Sequence, residues 1–499
     1  MNQRYLVALD QGTTSSRAII FTPEGHEIAS AAQEFPQYYP QPGWVEHDPG
    51  DILSTQIESL RAAVRKANID PAEIAAIGIT NQRETTLIWD RQTGRPVCNA
   101  IVWQCRRTAQ IVDSLVRDGL SDMIREKTGL IPDAYFSGTK IKWILDQYDL
   151  HEKARQGQLC FGTVDSFLCW NLCEGHPHVT DATNAGRTML FNLHTQDWDD
   201  DLLHMLNVPR AILPHVVDSA EVVGILRSDI LGVPIPVAAI AGDQHCALFG
   251  QGCFDKGDVK NTYGTGCFML MNIGSEFRRS NSGLLTTMAW RLKGEPVYAL
   301  EGSVFMGGAT IQWLRDGLGL ISTAAESEKV AQTVPDAGGV YLVPAFTGLG
   351  APYWDMYARG TLLGMTRGTN RGHIVRAALD SIAYQSMDLF TAMVKDCGTA
   401  PTHLKVDGGA SRNDLLMQFQ SDLLGIKVER PGTSETTALG AAMLAGLGVG
   451  LFRDPHETAS SLHTQKLFIP GTTSAEREAL ASGWHKAVDS VLQYGAAQR

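Results

Sequence analysis

The chain has 499 residues, 44% of them hydrophobic and 19% charged, enough for two or three domains with filled cores and too apolar for a disordered protein. A formal net charge of −12 excludes nucleic-acid binding through a general basic field, so an anionic substrate has to be met by local arginines and backbone amides. Nine cysteines, odd in number and without a C-x-x-C spacing, fit reduced thiols, and Met1-Asn2-Gln3-Arg4 runs straight into an apolar strand with no export leader. A cytoplasmic protein is the expectation.

Taken in order, Tyr5 to Leu9 reads as a strand, followed by Asp10-Gln11-Gly12-Thr13-Thr14-Ser15-Ser16-Arg17, a second strand (Ala18 to Thr22), a turn at Pro23 to His26 and a third strand (Glu27 to Ala31). The glycine lets the backbone fold back so that amides point at an anion, and Thr13, Thr14 and Ser15 add hydroxyl donors. Asp48-Pro49 supplies an N-cap and a first-turn proline for a helix whose apolar face is Ile52, Leu53, Ile57, Leu60 and Val64. A strand follows at Ile74 to Thr80. Cys169 and Cys173, four apart on an expected helix, have no matching Cys or His pair and read as buried apolar residues, and His176 and His178 read as a surface turn.

The run Ile235 to Ala241 has the character of a buried central strand, and it ends at Gly242-Asp243 and a short helix. A glycine-punctuated connection, Gly250 to Asp258, then places a domain boundary, giving 1–252 and 253–499. The pattern restarts with the strand Val259 to Thr262 and a second turn, Tyr263-Gly264-Thr265-Gly266-Cys267-Phe268, with strands expected at Gly283 to Trp290 and Pro296 to Glu301. Leu404 to Asn413 passes through a glycine turn into a helix, Asp414 to Leu424, and such a turn admits a flat or anionic ligand close to the backbone. The apolar run Ala438 to Phe452 is shorter than a membrane span and reads as a packed helix, with Thr436 and Thr437 as capping hydroxyls. No integral membrane association is expected.

Neither G-x-x-x-x-G-K-[ST] nor a helix-opening G-x-G-x-x-G is present at these turns. Two glycine-threonine turns in two similar halves instead suggest a phosphate chain gripped between domains. Asp10 and Asp243 each end a strand beside that position, and two carboxylates in one cleft suit Mg2+ handling and proton transfer.

The segments Leu9 to Arg17, Pro42 to Pro49, Ile79 to Thr86, Ile101 to Thr108, Gly242-Asp243-Gln244 and Asn261 to Asn272 closely resemble the FGGY carbohydrate kinase family. The likeness extends from about Tyr5 through Phe452, and Arg83-Glu84 with Trp103 is the pattern of its glycerol-phosphorylating branch. The resemblance implies an α/β fold of two actin-like, ribonuclease-H-type ATPase domains flanking a central cleft. It implies ATP and Mg2+ as ligands and phosphorylation of glycerol to sn-glycerol 3-phosphate.

By matching position, Asp243 is the general base, and Arg83, Glu84, Trp103, Tyr135, Gln244 and Phe268 contact glycerol. Asp10, with Asp243, handles the metal. Thr13, Thr14, Ser15, Arg17, Thr265 and Gly266 would supply phosphate donors. Gly308 and Gln312 would line the nucleotide pocket, and Gly409, Ala410 and Asn413 would border adenosine. Because neighbours on a strand face opposite ways, Arg83 and Glu84 reach one substrate only if the backbone turns after Thr80-Asn81. Family relatives form homodimers or homotetramers. The alternatives are a kinase for another polyol or ketose on the same scaffold and, from another class, an actin- or chaperone-like ATP switch.

Overall fold

The computed structural model describes residues 4–459 and 462–497. Each glycine-threonine turn joins the central strands of its own sheet. In the first sheet β1 (Tyr5–Gln11), β2 (Ser15–Phe21) and β3 (Glu27–Glu34) form an antiparallel meander. β4 (Ile74–Asn81) adds parallel to β1, and β6 (Pro236–Gly242) parallel to β4, with the two-residue β5 (Gly224–Ile225) at the edge. The order is β5-β6-β4-β1-β2-β3. β4 is buried along its whole length, as a strand covered on both faces must be.

The second sheet repeats this plan. β7 (Val259–Tyr263), β8 (Cys267–Gly274), β9 (Leu285–Leu292) and β10 (Glu295–Val304) are its antiparallel part, and β11 (His403–Asp407) adds parallel to β7. β12 (Lys427–Pro431) and β13 (Thr464–Phe468) complete the order β9-β10-β8-β7-β11-β12-β13.

Helix α1 (Pro49–Ala67) begins as the sequence predicts, with Asp48 accepting from the Gly50 amide at 2.7 Å, and packs on β2 and β3. α2 (Asp243–Gly250) follows β6 without a loop. In the second half lie α3 (Gly308–Asp316), the long α4 (Arg371–Cys397), α5 (Asp414–Leu424) and α6 (Thr436–Gly448). Among the described residues no helix is long and apolar enough to cross a membrane.

α6 crosses from the second half to lie on β1, β4 and β6 and against α2. Its small residues permit this: a Cβ on Gly440 would lie 1.9 Å from the Cys246 carbonyl oxygen, and one on Gly250 would lie 2.0 Å from that of Thr436. One apolar cluster therefore runs from Leu6, Ala8 and Ile19 through α2 and α6 to Leu270, Trp290 and Ala299. The two halves share a core.

Two local expectations are corrected. The first turn closes within Gly12 to Thr14, because the Gly12 amide donates to the Ser15 carbonyl at 2.9 Å, so Ser15 and Arg17 belong to β2. Thr436 does not cap α6. Its hydroxyl donates to buried Asp407, and the N-cap is Glu435, whose side chain makes no capping bond.

Candidate active site

A cavity of about 730 Å³ lies between the two sheets. From the first half Thr13, Thr14, Arg83, Glu84, Trp103, Tyr135, Asp243 and Gln244 reach it, and from the second Thr265, Gly266 and Phe268. The strand-geometry problem at Arg83-Glu84 is resolved by the backbone: β4 ends at Asn81, and Glu84 has φ 61°, the left-handed region. Its carbonyl is held there by the hydroxyls of Thr86 (3.0 Å) and Ser137 (3.1 Å) and by Lys140 Nζ (3.3 Å). Lys140 also donates to the Tyr135 carbonyl; burial draws its pKa down to about 7.

Asp243 opens α2 at the mouth of the cavity. Its Oδ1 accepts the Gln244 amide at 2.7 Å and faces Arg83 Nε at 3.2 Å. A third of the side chain (34%) is open to solvent in the cavity, with protein packed around the rest. Burial raises its pKa, partly offset by Arg83 and the Gln244 amide, with the Asp10 charge adding to the rise. A carboxylate of raised proton affinity is suited to take a proton from an alcohol.

Arg83 and Glu84 do not pair with each other. Arg83 donates bidentately to Glu301, Nη1 at 2.6 Å and Nη2 at 3.2 Å, and Nη2 lies 3.5 Å from the Tyr135 hydroxyl. Glu84 instead accepts from Arg187 Nε at 2.6 Å, and Arg187 Nη2 reaches Glu301 at 3.1 Å. Burial alone would raise the Glu301 pKa, but the guanidiniums of Arg187 and Arg83 hold it far below the carboxylate range. For Glu84, with one guanidinium in contact, burial wins and the pKa is raised.

Trp103 and Phe268 form apolar wall, and the Trp103 ring meets Tyr135 edge-on at 5.7 Å. Gln244 Oε1 accepts from Lys260 Nζ at 2.5 Å, and the same ammonium reaches the Thr262 hydroxyl (2.9 Å) and the Phe268 carbonyl (3.5 Å). One buried lysine thus ties a cavity residue of α2 to two strands of the second half. Burial lowers its pKa to about 8. His245 is kept neutral, since burial first and then Arg83 hold its pKa well below the usual imidazole value.

Other predicted residues stand back from this cavity. Asp10 is buried beneath the first turn, ion-paired with Arg17, whose other nitrogen donates to Glu435 at 2.8 Å. In this structure Arg17 therefore straps β2 to the start of α6 rather than pointing to open space. Burial raises the Asp10 pKa against the pull of Arg17. Ser15 is half-buried on β2, outside the cavity lining. Gly308 donates its amide to the Gly264 carbonyl at 2.9 Å, fastening the second turn to the start of α3, and Gln312 is exposed one turn further along. Gly409 and Ala410 form a short 3-10 turn, and the Asn413 Oδ1 is engaged as N-cap of α5, accepting the Leu416 amide at 2.9 Å. Gly408, at φ 85°, lets that turn close on the second glycine-threonine turn: a Cβ there would lie 2.5 Å from the Tyr263 carbonyl oxygen.

Sequence reasoning missed Glu301, Arg187 and Lys260. Glu301 carried a weak signal, a charge at the end of the apolar run Val297 to Leu300; Lys260, beside Asn261 and Thr262 in its strand, carried none. Arg187, in Asn184-Ala185-Gly186-Arg187, carried none.

Two sheets of like topology, each with a glycine-threonine turn facing one cavity, define an actin-like, two-domain α/β class. The model of the FGGY family of carbohydrate kinases matches over residues 5–250 for its N-terminal domain and 259–449 for its C-terminal domain, and the chain belongs to that family. It is 59% identical to glycerol kinase 2 of Thermotoga maritima over 98% of this chain and 99% of that one. It is 57% identical to a glycerol kinase of Symbiobacterium thermophilum over 99% and 100%. Among solved structures, a Plasmodium falciparum glycerol kinase with ADP matches with a TM-score of 0.93 at 34% identity, covering 98% and 99% of the two chains. A Lactobacillus acidophilus xylulose kinase, at 22% identity and a TM-score of 0.90, shares the fold.

Proposed function

We propose that the protein transfers the γ-phosphoryl group of ATP to glycerol, giving sn-glycerol 3-phosphate and ADP. The observation that carries this reading is Asp243. Its partly open carboxylate, 3.2 Å from Arg83 Nε, lines the same cavity as residues of both glycine-threonine turns, Glu84, Tyr135, Trp103 and Phe268. Glycerol offers three hydroxyls and a C–H edge, which such a wall can take up with a few fixed hydrogen bonds and one apolar face. Full-length identity to proteins named glycerol kinase supports the choice of acceptor.

In the reaction, Asp243 accepts the proton of a terminal hydroxyl as that oxygen bonds to the γ-phosphorus. The bond from phosphorus to the bridging oxygen breaks and ADP leaves with the electron pair. Positioning and charge neutralisation carry most of the catalysis of such a transfer. Thr13, Thr14, Thr265 and the Gly266 amide are the donors at hand, with Ser15 and Arg17 behind them. Gly308, Gln312, Gly409, Ala410 and Asn413 are assigned to the nucleotide.

The donor set also fits Mg2+. Asp10 and Asp243 are hard oxygen ligands, and Asp10 lies close enough for its charge to raise the proton affinity of Asp243. Mg2+ characteristically takes one or two carboxylates and completes its shell with phosphate oxygens and water. Asp10 and Asp243 would hold it, and it would neutralise charge on the phosphate oxygens. Division at 1–252 and 253–499, with α6 returning to the first half, a cytoplasmic location and a homodimeric or homotetrameric assembly belong to the same proposal.

The test is ADP release with glycerol, erythritol or xylulose as acceptor. Release that depends on glycerol and is weak with the larger acceptors supports the assignment. Preference for xylulose or erythritol reassigns the acceptor, and acceptor-independent hydrolysis refutes phosphoryl transfer to a polyol.

A further inference from the structure

Arg83, Glu84, Arg187 and Glu301 are at most 3% exposed, and all but Arg83 at most 1%. Their four charges cancel, leaving Asp243 as the extra carboxylate at the open end of the chain of contacts. Beginning at Asp243, the contacts run to Arg83, Glu301, Arg187 and Glu84, so they end beside where they began, because Arg83 and Glu84 are adjacent in sequence. Glu301 comes from β10 in the second half and the other four from the first. A buried ion network of this kind adds little net stability compared with apolar packing. What it provides is direction. Glu301 occupies both terminal nitrogens of Arg83, and Arg187 fixes one oxygen of Glu84 while lying over the Tyr135 and Phe136 rings at 5.5 and 5.2 Å.

We propose that Glu301 and Arg187 are positioning residues for the acceptor: without touching it, they hold Arg83 and Glu84 in the orientation that reads a small triol. This rests on the glycerol reading above. It follows that the second half, through Glu301, helps to shape a polyol site whose polar contacts lie in the first. The phosphate turns are fastened directly by other contacts, Gly308 to Gly264 and Trp103 to Thr13, and the network reaches the first of them through the packing of Tyr135 on Trp103, so altering it is expected to change ATP affinity less than glycerol affinity.

The experiment is steady-state kinetics of the full chain in two variants. Arg187→Met with Glu301→Gln removes one charge of each sign and keeps the network neutral. Arg187→Lys keeps the charge but loses the planar fork that serves two carboxylates at once. With wild type showing glycerol-dependent ADP release, the double variant is expected to raise the KM for glycerol about tenfold or more while the KM for ATP stays within about twofold, and Arg187→Lys is expected to lie between. A glycerol KM within about twofold of wild type in Arg187→Lys, or ATP and glycerol KM values rising together in either variant, overturns the positioning role. If the double variant fails to fold, Arg187→Lys decides alone. Absence of glycerol-dependent release by the wild type refutes the glycerol reading itself, a result distinct from either.

Discussion

Trp103 Nε1 donates a 3.0 Å hydrogen bond to the hydroxyl of Thr13, so an apolar wall of the cavity is fastened to the first glycine-threonine turn. The indole does two jobs with its two ends. Trp103→Phe keeps the wall but frees the Thr13 hydroxyl. One lost hydrogen bond of about 1 kcal/mol corresponds to roughly fivefold. The expected outcome is an ATP KM raised about fivefold with a smaller change for glycerol, measured by varying each substrate at saturation of the other.

Arg83→Ala has a consequence beyond glycerol affinity. It leaves Glu301, fully buried, with one of its two guanidinium partners missing. Breaking a buried pair on one side costs about 3–5 kcal/mol, so urea denaturation should show a clear loss of stability. Adding Glu301→Gln to Arg83→Ala should restore part of it, since the uncompensated charge is then gone. Equal stability of Arg83→Ala and wild type would contradict the network.

That network marks the border of what the sequence made legible. Strand and turn positions follow from local apolar runs and glycines, which is why β4, β7 and α5 fall where the pattern places them to within a residue. The residues around Asp243 were legible through their resemblance to a family. Glu301 and Arg83 are 218 positions apart, and Glu84 and Arg187 are 103 apart. A single sequence holds no local trace of such pairs. Thr436 shows the same limit in small: a capping hydroxyl by position, it is claimed by the Asp407 carboxylate brought over by β11.

α2 and α6 approach so closely that no side chain fits at the crossing. Gly440→Ala would force backbone from backbone, and with no flexible side chain to yield, a destabilisation of about 3 kcal/mol, the upper end of overpacking costs, is expected. Alanine at Gly398, where nothing lies within 4 Å but φ is 72°, should cost less, about 1 kcal/mol. The comparison is read from urea midpoints of the two variants.

His47 is fully buried, with Nε2 on Gln37 Oε1 at 2.6 Å and the ring edge-on to Phe35. Burial lowers its pKa from 6.5 to about 4. Between those values the unfolded chain binds a proton that the folded chain refuses, so stability falls as pH drops from 6.5 toward 4 and is unaffected by this group above 6.5. The full effect is on the order of 3 kcal/mol. His47→Gln should show a shallower loss of stability over that window, whatever its cost at pH 7. Parallel pH profiles for variant and wild type would contradict the neutral buried imidazole.

The most direct measurement is the rate of ADP release by wild type and Asp243→Asn, each with and without glycerol, alongside equilibrium binding of both substrates. Release by the wild type is expected only when glycerol is present, and Asp243→Asn should bind both substrates but turn over at least about a hundredfold more slowly, because a carboxamide cannot accept the proton. Near-normal turnover by Asp243→Asn, or ADP release by the wild type that ignores glycerol, would contradict the proposed reaction.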